Sequence, residues 1–116
     1  MRLPRMTTRR WMIAVAVAAS LIGAAIEQDR RSKRFTRLAA SHANIAREHF
    51  STLMVLGGDP PPLKEIEEYP PAAQGPARYL HRAKSLMLYH RALKGKYDRA
   101  ARYPWLPVEP DPSMPK

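Results

Sequence analysis

Sixteen consecutive residues, Trp11 to Ile26, carry no charge and no proline; Arg9-Arg10 precede the run, and Glu27-Gln28-Asp29 separate it from Arg30-Arg31. Such a stretch must bury itself in a core or a membrane, because water penalises its whole circumference. As a helix it spans about 24 Å at 1.5 Å per residue, against a hydrocarbon thickness of about 30 Å. Arg9, Arg10, Arg30 and Arg31 have stems long enough to reach the headgroups and close that gap. Trp11 stands where an interfacial aromatic belongs. Two membrane readings follow. Gly23-Ala24-Ala25 offers small residues to a signal peptidase, and Arg9-Arg10-Trp11 resembles a twin-arginine export signal. Against cleavage, Arg30, Arg31, Lys33, Arg34 and Arg37 follow at once and hinder translocation, which favours an uncleaved anchor. The leader holds four arginines (Arg2, Arg5, Arg9, Arg10), so the expected orientation is N-terminus inside and body outside.

Beyond the leader and membrane helix (residues 1–29), the chain divides at its prolines. Residues 30–56 contain neither glycine nor proline. Phe35, Leu38, Ala39, His42, Ile45, Ala46, His49, Phe50 and Leu53 recur there at three- and four-residue steps, which predicts a helix. Gly57 supplies a left-handed cap, and Pro60-Pro61-Pro62 blocks continuation. Residues 57–76 read as a Pro/Gly-rich linker. A second periodic stretch over residues 77–103 places Leu80, Ala83, Met87, His90, Leu93, Tyr97, Ala100 and Ala101 on one stripe. Pro76 suits its first turn and Pro104 ends it. Residues 104–116 form an extended Pro-rich tail. Nothing alternates with period two, so the expected fold is all-α: a membrane or signal helix running into a two-helix hairpin. No proline interrupts Trp11 to Leu56, so those residues read as one continuous helix with a bend near Glu27 to Asp29.

Charge narrows the function classes. The net charge is +10. Residues 78–102 hold eight bases and one acid, Asp98. Arg78, Arg82, Arg91, Lys94, Arg99 and Arg102 are the candidate contacts to an anion or an acidic partner; the competing role is a solvated helix face. Tyr79, Tyr89, Tyr97 and Tyr103 lie among these bases, a pattern compatible with single-stranded nucleic acid. Nucleic acid is nonetheless an unlikely partner for a chain held at a membrane and facing away from the cytoplasm. His42, His49, His81 and His90 are the histidines that could serve as metal ligands. The spacing of His42 and His49 is seven, no carboxylate completes a set, and no metal or cofactor is expected. There is no cysteine, phosphate loop or nucleophile motif, and the chain is not expected to be an enzyme. In the tail, Trp105 and Leu106 are candidate anchors for a partner groove, with Pro104 and Pro107 at PxxP spacing. The alternative for Trp105 is to fold back and staple the open end of the hairpin.

Arg9-Arg10-Trp11-Met12-Ile13-Ala14-Val15-Ala16-Val17, together with Lys96-Tyr97, Ala100-Ala101-Arg102-Tyr103-Pro104-Trp105-Leu106-Pro107-Val108 and Pro110-Asp111-Pro112, resembles a group of small planctomycete proteins. Their pattern is a basic leader, one apolar helix, a Tyr/His/Arg-rich helical middle and a Pro-Trp-Leu-Pro tail. The likeness covers the two ends, about a third of the chain. It implies architecture and a bacterial envelope setting and carries no activity. The expected role is a small single-pass membrane-anchored interaction module or accessory subunit with a protein partner. The alternative is an exported or membrane-surface anion-binding protein that uses the basic helix for acidic headgroups or nucleic acid.

Overall fold

The computed structural model describes residues 7–116; Arg2 and Arg5 of the leader lie outside them. Three helices follow in order: α1 (Thr8–Leu56), α2 (Leu63–Glu67) and α3 (Pro71–Arg102). Among the described residues there is no strand. The protein is all-α.

Helix α1 runs for 49 residues, about 73 Å at the standard rise. It passes through Glu27 to Asp29 without a break in the helix, so the apolar run and the first body helix are one rod. Arg31 pairs with Glu27 and Lys33 with Asp29, each one turn away, so the junction satisfies its own charges locally. The rod ends where the glycines expected it. Gly57 has φ of 116° and Gly58 of 91°, a region that costs any residue with a Cβ. The Gly58 N–H reaches back to the Leu53 carbonyl at 2.8 Å.

The linker differs from expectation in two ways. Leu63–Glu67 coils into the one-turn helix α2, whose Ile66 is fully buried. Five residues have no helical stability of their own; burial of Ile66 in a body where α2 packs on α3 supplies it. Helix α3 also begins six residues before Ala77, at Pro71, with Pro76 inside it. Pro71 takes the first position, where its missing N–H costs nothing. Pro76 is tolerated in the second turn because Gly75 precedes it. A proline normally keeps its predecessor out of the helical region partly through a clash with that residue's Cβ, which glycine lacks.

Helices α1 and α3 pack antiparallel. The Ser32 hydroxyl donates to the Ala101 carbonyl at 2.8 Å, Phe35 stacks on Tyr97 and His42 on His90, all in one register. The core is thin: Ala39, Leu93 and Tyr97, with Phe35, Leu38 and Tyr89 against it. Ala39, Ala83 and Ala100 are buried, so small side chains allow close approach of the helices. Lys84 pairs with Asp59 at 2.7 Å and ties the turn after α1 to α3. The hairpin starts only at Ser32. Every described residue before it on α1 is exposed, and the molecule measures 91 × 23 × 17 Å. An apolar arm therefore stands free of the body.

The tail lacks helix and strand, as expected, but it does not extend away. A turn at Tyr103–Leu106, closed by the Leu106 N–H on the Tyr103 carbonyl, sends it back along α3. There Asp111 receives Lys96 and the Tyr97 hydroxyl, and Tyr89 donates to the Pro112 carbonyl at 3.0 Å.

Candidate functional site

The six candidate bases of α3 do not converge. Arg78 to Arg102 covers about 36 Å of helix. Arg78 and Arg82 lie toward the closed end, near the acidic α2 region, and Lys94 is paired with Asp98. Only Arg99 and Arg102 sit at the open end, where the Ser32–Ala101 contact sets them level with residues 30–37 of α1. Residues 27–37 of α1 and 94–102 of α3 together hold nine bases and three acids (Glu27, Asp29, Asp98), a net +6, which the tail's Glu109, Asp111 and Lys116 reduce to +5. The rest of the hairpin, residues 38–91, holds six bases and five acids.

The pairing within this collar is selective. Arg31, Lys33, Lys94 and Lys96 each hold a carboxylate. Among the described residues, Arg30, Arg34, Arg37, Arg99 and Arg102 hold none. Arg30, Lys33, Arg34, Arg37 and Leu38 line a shallow hollow of about 370 Å³ on α1. Arg99 and Arg102 also offset the negative end of the α3 dipole. That role accounts for two of the five free guanidiniums and leaves the three on α1 unexplained. No family model, curated protein or solved structure matches the chain. The collar was not legible as a site, because its two halves are more than fifty residues apart in sequence.

Behind the collar runs a seam of stacked rings. Tyr97 lies 6.0 Å from Phe35 and 5.5 Å from His42; His90 lies 5.2 Å from His42 and 6.1 Å from His49. The Nδ1 atoms of His42 and His90 are 2.9 Å apart, so one donates and the other must keep its lone pair. Sequence spacing puts His90 on the packing stripe; the hairpin brings it onto His42 and His49, and not onto His81. Among the described residues no three metal-ligating side chains gather around one point.

The seam and tail are coupled electrostatically. Burial, with the nearby His42 and His49 adding to it, holds His90 below the ordinary histidine value. Lys96 and then the Tyr97 hydroxyl hold Asp111 below the usual carboxylate range. Burial, followed by the bond to Asp111, pushes the Tyr97 phenol up. A histidine lowered on folding stabilises the fold in full above its unfolded value of about 6.5, and that stability is lost as the pH falls toward the folded value. The expected result is a hairpin that melts at lower temperature at pH 5 than at pH 7.5, followed by circular dichroism in detergent. His90→Leu should flatten that difference; an unchanged pH dependence in this variant would exclude the seam as its source.

Trp105 and Leu106 stay largely exposed, Trp105 at 60%. Trp105 meets only the edge of Tyr103 among aromatic rings, at 5.6 Å. The tail does fold back, but Asp111 and Pro112 fasten it rather than Trp105. The signal missed was an acid six residues beyond the tryptophan. Proline turns aim it at α3, and Lys96 and Tyr97 are side by side to receive it. Between tail and helix lies a groove of about 600 Å³ lined by Ala92, Lys96, Arg99, Leu106 and Val108.

Proposed function

We propose that this chain is a single-pass membrane-anchored interaction module, an accessory subunit whose hairpin stands on the membrane surface outside the cytoplasm and binds a protein partner. One observation carries the anchor. The arm from Thr8 is long and apolar enough to cross a membrane, none of its best apolar window is buried, and it continues unbroken into the body. Trp11, Met12, Ile13, Val15, Val17, Leu21, Ile22 and Ile26 are exposed around its circumference, an arrangement water does not favour. Within Trp11–Ile26 the one hydroxyl, on Ser20, donates back to the Ala16 carbonyl at 2.9 Å and presents no free donor to lipid. A signal sequence is equally apolar; the unbroken continuation of the arm into the body and the five bases that follow favour the anchor.

The adaptor role is supported at the other end of the hairpin. Phe50, Met54, Val55, Leu56 and Leu63 are exposed around the turn into α2, and a partner surface would cover them.

Expression of the full chain in a bacterium with a C-terminal tag tests this. The expected product has the intact mass, resists alkaline extraction from the membrane fraction, and loses its tag when protease is added to spheroplasts. A soluble periplasmic product lacking residues 1–25 would sink the anchor. The hairpin would survive such a cut, because its contacts begin at Ser32.

A further inference from the structure

We propose that the arginine collar at the base of the arm binds the anionic headgroups of the leaflet the body faces. The inference rests on the anchor reading for its geometry and adds the lipid class. Three observations support it. First, folding leaves five guanidiniums, Arg30, Arg34, Arg37, Arg99 and Arg102, without carboxylates at one end of the hairpin, while their lysine neighbours and Arg31 are paired. Guanidinium is the side chain best suited to phosphate, through its planar fork of donors. Second, these groups arise on both helices at one level and flank the base of the arm. The hollow lined by Arg30, Arg34 and Arg37 is open and of a size to receive a headgroup phosphate. Third, the depth fits. Arg30 lies about 6 Å beyond Ile26 along the helix and Arg37 about 16 Å beyond it. The run from Trp11 to Ile26 is about 6 Å shorter than the hydrocarbon layer, so matching it draws the collar into the headgroup zone. Free arginines there meet lipid phosphates, and each gains from a negatively charged surface.

The collar takes only Arg99 and Arg102 from the basic α3 face expected from sequence and joins them to arginines of α1. Arg78 and Arg82 belong to the closed end, distant from any membrane the arm crosses. They serve as the control.

The test reconstitutes the full chain in phosphatidylcholine vesicles with and without phosphatidylglycerol, and measures the lipid shell with spin-labelled lipids of each headgroup. The expected result is preference for the phosphatidylglycerol label, about fivefold at lipid positions touching an arginine, falling toward none at high salt. R34Q/R37Q/R99Q/R102Q should lose the preference and still float with the vesicles; R78Q/R82Q should keep both. Glutamine retains helix propensity, and circular dichroism of each variant reports the fold. No headgroup preference in the native chain, or full preference in the quadruple variant, overturns the collar. A chain that fails to float with phosphatidylcholine fails the anchor reading instead. In that case the collar stands if phosphatidylglycerol vesicles alone capture the chain and the quadruple variant is not captured, and falls otherwise.

Discussion

Replacing Val17 and Leu21 together with arginine is expected to remove the chain from the membrane fraction. Both positions lie near the middle of the apolar run, and both side chains are more than half exposed on the free arm, so neither change disturbs a packed core. An arginine at the centre of a membrane helix costs about 2.5–3.5 kcal/mol on insertion scales, and the lost valine or leucine adds a few tenths more. Two such changes amount to about 5–7 kcal/mol, or roughly four to five orders of magnitude in partition. The native run has little surplus to absorb this, because nearly half of it is alanine or glycine. Arginine is a good helix former, so the arm remains helical and the effect is read as partition alone. The check is the share of chain resisting alkaline extraction, with Ser20→Leu as a variant that should stay in the membrane. A double-arginine variant still in the pellet would mean that something other than the arm holds the chain there.

Tyr97→Ala should open the hairpin. Tyr97 is 9% exposed and lies between Phe35 and His42, with its hydroxyl shared by both Asp111 oxygens at 2.9 Å. Truncating a buried aromatic costs about 3–5 kcal/mol through lost burial and the cavity left behind. A body of about seventy residues has stability of only a few such units, so this one loss takes most of it. Tyr97→Phe separates the two jobs of the side chain. It keeps the ring in the seam and removes the bond to Asp111, at a cost of about 1 kcal/mol. The hairpin should then melt near the native temperature while proteolysis after Tyr103 becomes faster. Thermal unfolding by circular dichroism in detergent, beside limited proteolysis of the tail, measures both. An alanine variant that melts with the native chain would show that the seam is not what holds the helices together.

These two residues mark what local reading can reach. Leu21 belongs to a run whose meaning depends only on its neighbours in sequence, so its exposure to an apolar solvent is legible there. Tyr97 was legible as a core residue by its spacing from Leu93 and Ala100, but its bond to Asp111 was not. That bond depends on how far the turn at Pro104 and Pro107 reverses the chain. The same holds for α2. Leu63–Glu67 sits between prolines, with too few residues to form a helix alone, and becomes one because Ile66 has a place to be buried.

The sequence by itself determined the all-α class, the apolar arm, the glycine stop at Gly57 and the two-helix body. Each follows from side chains within one or two helical turns of one another, through periodicity, glycine conformation or the absence of proline. Tertiary structure alone decided which charges act together. Antiparallel packing sets Ala101 against Ser32 and so carries Arg99 and Arg102 to the level of Arg30, Arg34 and Arg37. It also leaves Arg78 and Arg82 at the far end. Charge counted along a chain reports composition; a collar requires charges from distant segments at one height, and only the register of α1 against α3 supplies that.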